Sequence, residues 1–250
     1  MPQRLIKITD EIYCNYSSSY FNCTYIVYRN DEVTLIDTGM KSDASDVKFA
    51  LRELNIPIEK IKSILLTHWH NDHSAGAAEL KGLTNCITYC HQNEARYFEL
   101  EQSSRIRRLA DYIPEHGIFV LFKGLIGDTV PRPVSIDRKV RTGEIIDGDF
   151  EVIHTPGHTG GHIAYFDVES GFLFAGDALA VVNGKLRLMA SIVTENKKEA
   201  LESIIEMLQG ERTIKAICPG HREPLTKNVS EEIESFIEKI KAQKRWPILG

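Results

Sequence analysis

The chain reads as an α/β protein with two β-sheets face to face and helices on the outside. Three observations carry that reading. Short alternating or β-branched apolar runs recur along the chain, amphipathic helical patterns separate them, and the order strands-then-helix occurs once in each half. The chain has 250 residues, 42% hydrophobic and 26% charged, which suffices to bury a sizeable core in one large α/β domain or two small ones.

The elements follow in order. IKITDEIY and NCTYIVYRNDEVTLIDTG alternate apolar and polar residues, and Arg29-Asn30-Asp31 is the expected hairpin turn. Asp37-Thr38-Gly39 closes the strand that precedes it. Residues 42–56, SDASDVKFALRELNI, set Val47, Leu51 and Leu54 at helical spacing behind a Ser/Asp start, and Pro57 stops the helix. IKSILLT (61–67) is a buried strand, so THWHNDHSAG (67–76) lies in the loop that leaves it. Ser74 then caps a short helix that ends at Gly82. CITYC (86–90) is a further strand, followed by a helical pattern from about Gln92 to Tyr112.

From Pro114 to Arg141 the pattern dissolves into Gly, Pro and mixed charge. This predicts a lid or insertion around 92–141 within a single domain spanning 1–250. Strands resume with KVRTGEIIDGDFEVIHT, HIAYFDVE and GFLFAGD. An amphipathic helix over 195–210, the strand TIKAICPG and a last helix, SEEIESFIEKIKAQ, complete the chain.

Composition excludes several classes. A formal net charge of −5 speaks against a generic nucleic-acid or anionic-membrane surface. The best apolar window, IFVLFKGLIG (118–127), is interrupted by Lys123 and glycine and falls short of the roughly 18 residues of a membrane span. MPQRLIKITDEIY has no apolar core of signal-peptide length. Five cysteines, odd in number and without CxxC spacing, predict reduced thiols in a cytoplasmic protein. The expected partner is a small-molecule substrate, with neither nucleic acid nor membrane. Oligomeric state is unreadable.

The chemistry concentrates in four places. His68 and His70 are two apart at the end of an extended segment, which points both imidazoles to one side. Asp72 and His73 follow after the chain begins to turn, unlike the helical HExxH arrangement. Alone, this run would also fit a polar loop with incidental histidines. HTPGHTGGH (154–162) places His158 in a Gly/Pro turn, FLFAGDAL places Asp177 after an apolar strand, and AICPGHREP does the same for His221. Side chains of this kind at strand ends serve function more often than packing.

Two divalent ions need about six to eight ligand positions, which these residues can supply. The two aspartates and a bridging hydroxide would leave a net charge near +1, attractive to a carbonyl oxygen or an anion. The expected cofactors are two divalent metal ions, zinc foremost, with iron or manganese accepted by the same nitrogen and oxygen donors.

HxHxDH at 68–73, the TPGHT turn with His158, Gly176-Asp177 and the PGH at 219–221 match the metallo-β-lactamase superfamily in kind and in order. The chain resembles that family from about Ile6 to Leu225. The resemblance implies an αββα sandwich of two mixed sheets with helices on the outer faces and metals at the sheet edge. It implies one metal on His68, His70 and His158, and a second on Asp72, His73 and His221, with Asp177 bridging. A bridging hydroxide would be the nucleophile, and Asp72 would help to move protons.

Within the family, common class B β-lactamases carry cysteine where this chain has Asp177. Flavodiiron-type proteins carry glutamate in place of His70, together with a flavodoxin domain. Nucleases of the group carry a large inserted domain or a basic arm. Glyoxalase II is similar around Ala175-Gly176-Asp177-Ala178-Leu179, yet adds a C-terminal helical domain that binds glutathione. Acyl-homoserine lactonases are similar in length but place tyrosine where this chain has Ala180.

The function this resemblance implies is a binuclear metal-dependent hydrolase that cleaves an ester, thioester or lactone. The alternative is a mononuclear iron persulfide dioxygenase, with the iron on residues corresponding to His68, His158 and Asp177. Asp37 and Gly39 recur in the family's DTG turn and read as supports of the metal loops. His162 is expected beside the metals or facing substrate rather than as a ligand, and His91, His116 and His154 as packed or solvated. Trp69 lines the substrate site or packs. The basic residues RIRR (105–108), Lys123, Arg132, Arg138, Lys139 and Arg141 meet an anionic substrate or form a solvated face. Cys86 and Cys90 read as small core groups.

Overall fold

A computed structural model describes residues 3–17, 21–99, 132–243 and 246. The expected helix beyond residue 99, much of the proposed lid, His116, the run 105–108 and IFVLFKGLIG lie outside the described residues. The chain divides into two compact units, Met1–Tyr89 with Ala95–Arg138 and Cys90–Glu94 with Lys139–Gly250.

In the first unit, β1 (Gln3–Lys7), β2 (Ile12–Ser17), β3 (Cys23–Arg29) and β4 (Glu32–Ile36) form an antiparallel run in chain order. Asn30 and Asp31, at φ 54° and 65°, make the two-residue turn that pairs Arg29 with Glu32, so the predicted hairpin is present. The sheet then turns parallel, through β5 (Ile61–Leu65) and β6 (Ile87–His91).

The crossovers are helical, as parallel pairing requires. Helix α1 (Ser45–Glu53) buries Val47, Ala50 and Leu51 and stops just before Pro57. A single turn, α2 (Asn71–Ser74), precedes α3 (Ala77–Thr84). Two details differ from expectation. Ser74 lies inside the α2 turn and donates back to the carbonyls of Trp69 and His70 (both 3.0 Å), so it caps nothing. Helix α3 runs through Gly82 to Thr84, because Asn85 supplies the left-handed residue that ends it. After α4 (Ala95–Glu99) the described chain resumes at residue 132, and β7 (Arg138–Val140) is the strand on which it passes into the second unit.

The second unit carries a five-stranded mixed sheet. Antiparallel pairing joins β8 (Ile145–Ile146), β9 (Phe150–His154), β10 (Ile163–Asp167) and β11 (Phe172–Gly176), and β14 (Ala216–Pro219) pairs parallel with β11. Every residue of β10 and β11 is buried, which accounts for their continuous apolar runs.

Helix α5 (Lys197–Gln209) contributes Ile204, Met207 and Leu208 to the core, and α6 (Val229–Ala242) contributes Phe236, Ile237 and Ile240. An unanticipated hairpin, β12 (Ala180–Val182) and β13 (Lys185–Arg187), precedes α5 in the chain. The buried carboxylate of Glu232 on α6 accepts from Leu186 N (2.8 Å) and Lys185 Nζ (2.7 Å), tying that hairpin down.

Candidate metal centre

In the first unit, the site residues leave the C-terminal ends of adjacent parallel strands, the edge where open α/β sheets bind ligands. Asp37 follows β4, and Thr67 and His68 follow β5. Asp37 takes φ 61°, and its amide donates to Leu65 O (3.0 Å), so the two strand ends are held in register.

The buried Asp37 carboxylate then organises the histidines. Its Oδ1 accepts from Thr67 N (2.8 Å), and its Oδ2 accepts from Thr67 Oγ1 (2.8 Å) and His73 Nδ1 (2.7 Å). Because Thr67 gives its hydroxyl proton to Asp37, its oxygen accepts from His68 Nδ1 at 3.0 Å. Both rings are thereby held as Nδ1–H tautomers, which puts the acceptor lone pair of each on Nε2. That is a form in which imidazole binds a metal.

Around this anchor the imidazoles of His68 and His70 lie 4.6 Å apart by ring centroid, and those of His68 and His73 lie 4.3 Å apart. Asp72 Oδ2 is 3.9 Å from His73 Nε2. The α2 turn is tied back by Thr38 N and Oγ1 to His73 O (2.6 and 3.1 Å) and by Asn22 Nδ2 to Asp72 O (2.7 Å). His68 and His73 are buried, whereas His70 and Asp72 are half-buried and face outward enough to meet a ligand. Trp69, between two of these histidines, stacks on Tyr97 (5.1 Å, 22°), and Arg96 lies over the Tyr97 ring at 4.6 Å.

The second unit repeats the principle. Parallel neighbours β11 and β14 end side by side, with Gly220 N donating to Gly176 O (2.7 Å), and so deliver Asp177 and His221 together. Asp177 Oδ2 lies 3.3 Å from His221 Nε2 and 3.5 Å from His158 Nε2. His158 sits in the loop after β9, whose backbone is pinned by Asn196 N to Gly157 O (2.8 Å) and Glu195 N to His158 O (3.2 Å).

His162 is tied to the backbone at Asp177. Its Nε2 accepts from Asp177 N (2.9 Å), so Nδ1 carries the proton given to Thr155 Oγ1 (2.7 Å). Both ring nitrogens are thus engaged. His91 and His154 are packed on one another, centroids 4.1 Å apart and nearly parallel. Arg132 meets Ser42 O (3.1 Å) and Glu79 (3.4 Å), while Arg138, Lys139 and Arg141 are exposed.

An α/β protein that brings histidine and aspartate together at parallel strand ends offers groups that could hold divalent metal ions. The chain belongs to the metallo-β-lactamase superfamily, whose family model matches residues 21–221. It is similar to the probable metallo-hydrolase YqjP of Bacillus subtilis, 28% identical over 86% of this chain and 70% of that one. It is also similar to a hydroxyacylglutathione hydrolase of Pseudomonas aeruginosa, 32% identical over 64% of this chain and only 48% of that enzyme. Its fold is that of a metallo-beta-lactamase family protein from Thermus thermophilus, with a TM-score of 0.67 at 24% identity, covering 94% of this chain and 81% of that one. Membership of this superfamily of metallo-hydrolases supports hydrolase chemistry here.

Proposed function

We propose that this chain is a binuclear metal-dependent hydrolase acting on the ester, thioester or lactone bond of a small molecule. The observation that carries the reading is Asp177 Oδ2, which faces two separate imidazole nitrogens at 3.3 and 3.5 Å. A single carboxylate shared by two histidines suits a bridge between two ions. His68, His70 and His158 would hold one ion and Asp72, His73 and His221 the other, with Asp177 serving both. Zinc is expected, and iron or manganese suits the same donors.

A divalent pair in such a site supplies Lewis acidity toward a carbonyl oxygen and an activated water at neutral pH. The chain's own residues do the rest. Asp37 holds His68 and His73 in their ligating tautomers, and His162 fixes the backbone of Asp177. Proton transfer is assigned to Asp72, which is half-buried beside His73. We read residues 1–250 as a single domain of this family, whose model matches residues 21–221. Five buried cysteines, none of them in a disulfide among the described residues, suit a reducing, cytoplasmic setting. Among the described residues no helix is long and apolar enough to cross a membrane.

The test is elemental analysis of protein purified without added metal, followed by a panel of esters, thioesters and lactones. About two zinc ions per chain and turnover of one of these classes are expected. His158→Ala and Asp177→Ala should each lose metal and more than about 100-fold in rate, with circular dichroism unchanged. Full activity in either variant would overturn the assignment. One iron per chain with oxygen uptake on glutathione persulfide would replace it with the dioxygenase.

A further inference from the structure

The loop that carries His158 is gripped from an unexpected direction. Glu94 lies just after β6, in the short segment Cys90–Glu94 that packs with the second unit. It is only 1% exposed. One of its oxygens, Oε1, accepts from Thr159 Oγ1 (2.9 Å) and from the amide of Gly161 (2.8 Å). Thr159 is the immediate neighbour of His158 and is fully buried itself.

The approach is so close that a side chain at position 161 would displace Glu94. A Cβ there would stand 2.7 Å from both Cγ and Oε1 of Glu94 and 3.0 Å from the Asn93 side chain. The neighbours act in the same sense: Asn93 Nδ2 donates to Gly160 O (3.4 Å), and His154 Nε2 lies 3.3 Å from that oxygen. Burying a carboxylate is unfavourable unless hydrogen bonds replace its water. A simple loop staple could be built from a neutral side chain. A carboxylate accepting two bonds on one oxygen instead gives charge-assisted, hence shorter and stiffer, contacts.

We infer that Glu94 is a positioning residue for His158: through Thr159 and Gly161 it fixes the loop so that the imidazole is presented to metal in its binding geometry. This rests on the reading of His158 as a metal ligand. Residues that orient ligands from outside the coordination sphere typically change metal affinity by about 10–100-fold when removed.

The experiment compares the full chain with Glu94→Ala, Glu94→Gln and Thr159→Val. Zinc affinity is read by competition with a chromophoric chelator, and ligand geometry by the visible spectrum of the cobalt-loaded protein. Urea unfolding of the metal-free forms reports stability separately. Glu94→Ala should bind its weaker zinc about 10–100-fold less tightly and shift the cobalt bands. Glu94→Gln, which keeps an acceptor oxygen but loses the charge, and Thr159→Val, which loses one of the two bonds, should each fall between Glu94→Ala and the parent chain.

Parental affinity and an unchanged cobalt spectrum in Glu94→Ala would overturn the inference, even if that variant unfolds earlier. Should Glu94→Ala not fold, Thr159→Val decides, and parental affinity there is the overturning result. A parent chain that takes up no metal would sink the reading of His158 itself, and this inference with it.

Discussion

At the scale of single residues, Asp37 determines more than any proposed ligand does. Its carboxylate accepts three hydrogen bonds, one from a backbone amide, one from a hydroxyl and one from an imidazole. Asp37→Asn would replace an acceptor by a donor facing Thr67 or His73. That change favours the other tautomer, with a proton on the nitrogen that would meet metal in the proposed site. Zinc affinity should fall by about 10–100-fold in chelator competition, while the fold persists. The spacing of His68, His70, Asp72 and His73 was legible in the sequence because candidate ligands close together leave a pattern. The grip of Asp37 was legible only as a supporting turn, since its partners lie 30 and 36 positions away. Glu94 was not legible at all: nothing marks a lone glutamate as the partner of a threonine 65 residues on.

At the scale of elements, the start of α5 and the loop after β9 form one assembly. Ser203 Oγ donates to Pro156 O (2.9 Å), and the amides of Glu195 and Asn196 reach the loop carbonyls. Gly157, at φ 132°, lies against α5 so closely that a Cβ would stand 2.2 Å from Ala200 N. Gly157→Ala should therefore destabilise the fold by on the order of 3 kcal/mol in urea unfolding. Asn196→Ala removes the cap on Glu199 N (3.2 Å) and should cost only about 1 kcal/mol by the same measurement. Equal losses would show that the close approach is relieved by local adjustment. Most strands and helices were legible from periodicity, to within a few residues at their ends. The β12–β13 hairpin was not, although Asn183-Gly184, at φ 52° and 71°, is a strong turn signal. Its strands are too short to alternate visibly.

At the scale of the whole molecule, acid stability follows from the stacked pair His91 and His154. Burial, then the His154 ring, then the Arg141 guanidinium lower the His91 pKa from 6.5 to about 4. The unfolded chain therefore takes up this proton first as pH falls. His91 contributes its full stability above about pH 6.5, and that contribution is lost as pH drops from there toward about 4. In metal-free protein, His91→Gln should flatten the melting temperature across this window relative to the parent chain, and an unchanged slope would rule the pair out as its source. The two main sheets were legible from the repeated strands-then-helix order. Which pieces belong to which unit was not, because Cys90–Glu94 joins the later unit from within the earlier stretch.

The shared carboxylate of Asp37 also has a thermodynamic consequence. His68 and His73 are assigned to different ions, yet both rings are ordered by one side chain. Asp37 is buried and already fixed by its three hydrogen bonds, so both rings are ordered before any ion arrives. The cost of that order falls on folding rather than on metal uptake. Replacing Asp37 should therefore weaken both ions together, and a zinc titration in which only one of two sites loses affinity would count against this reading.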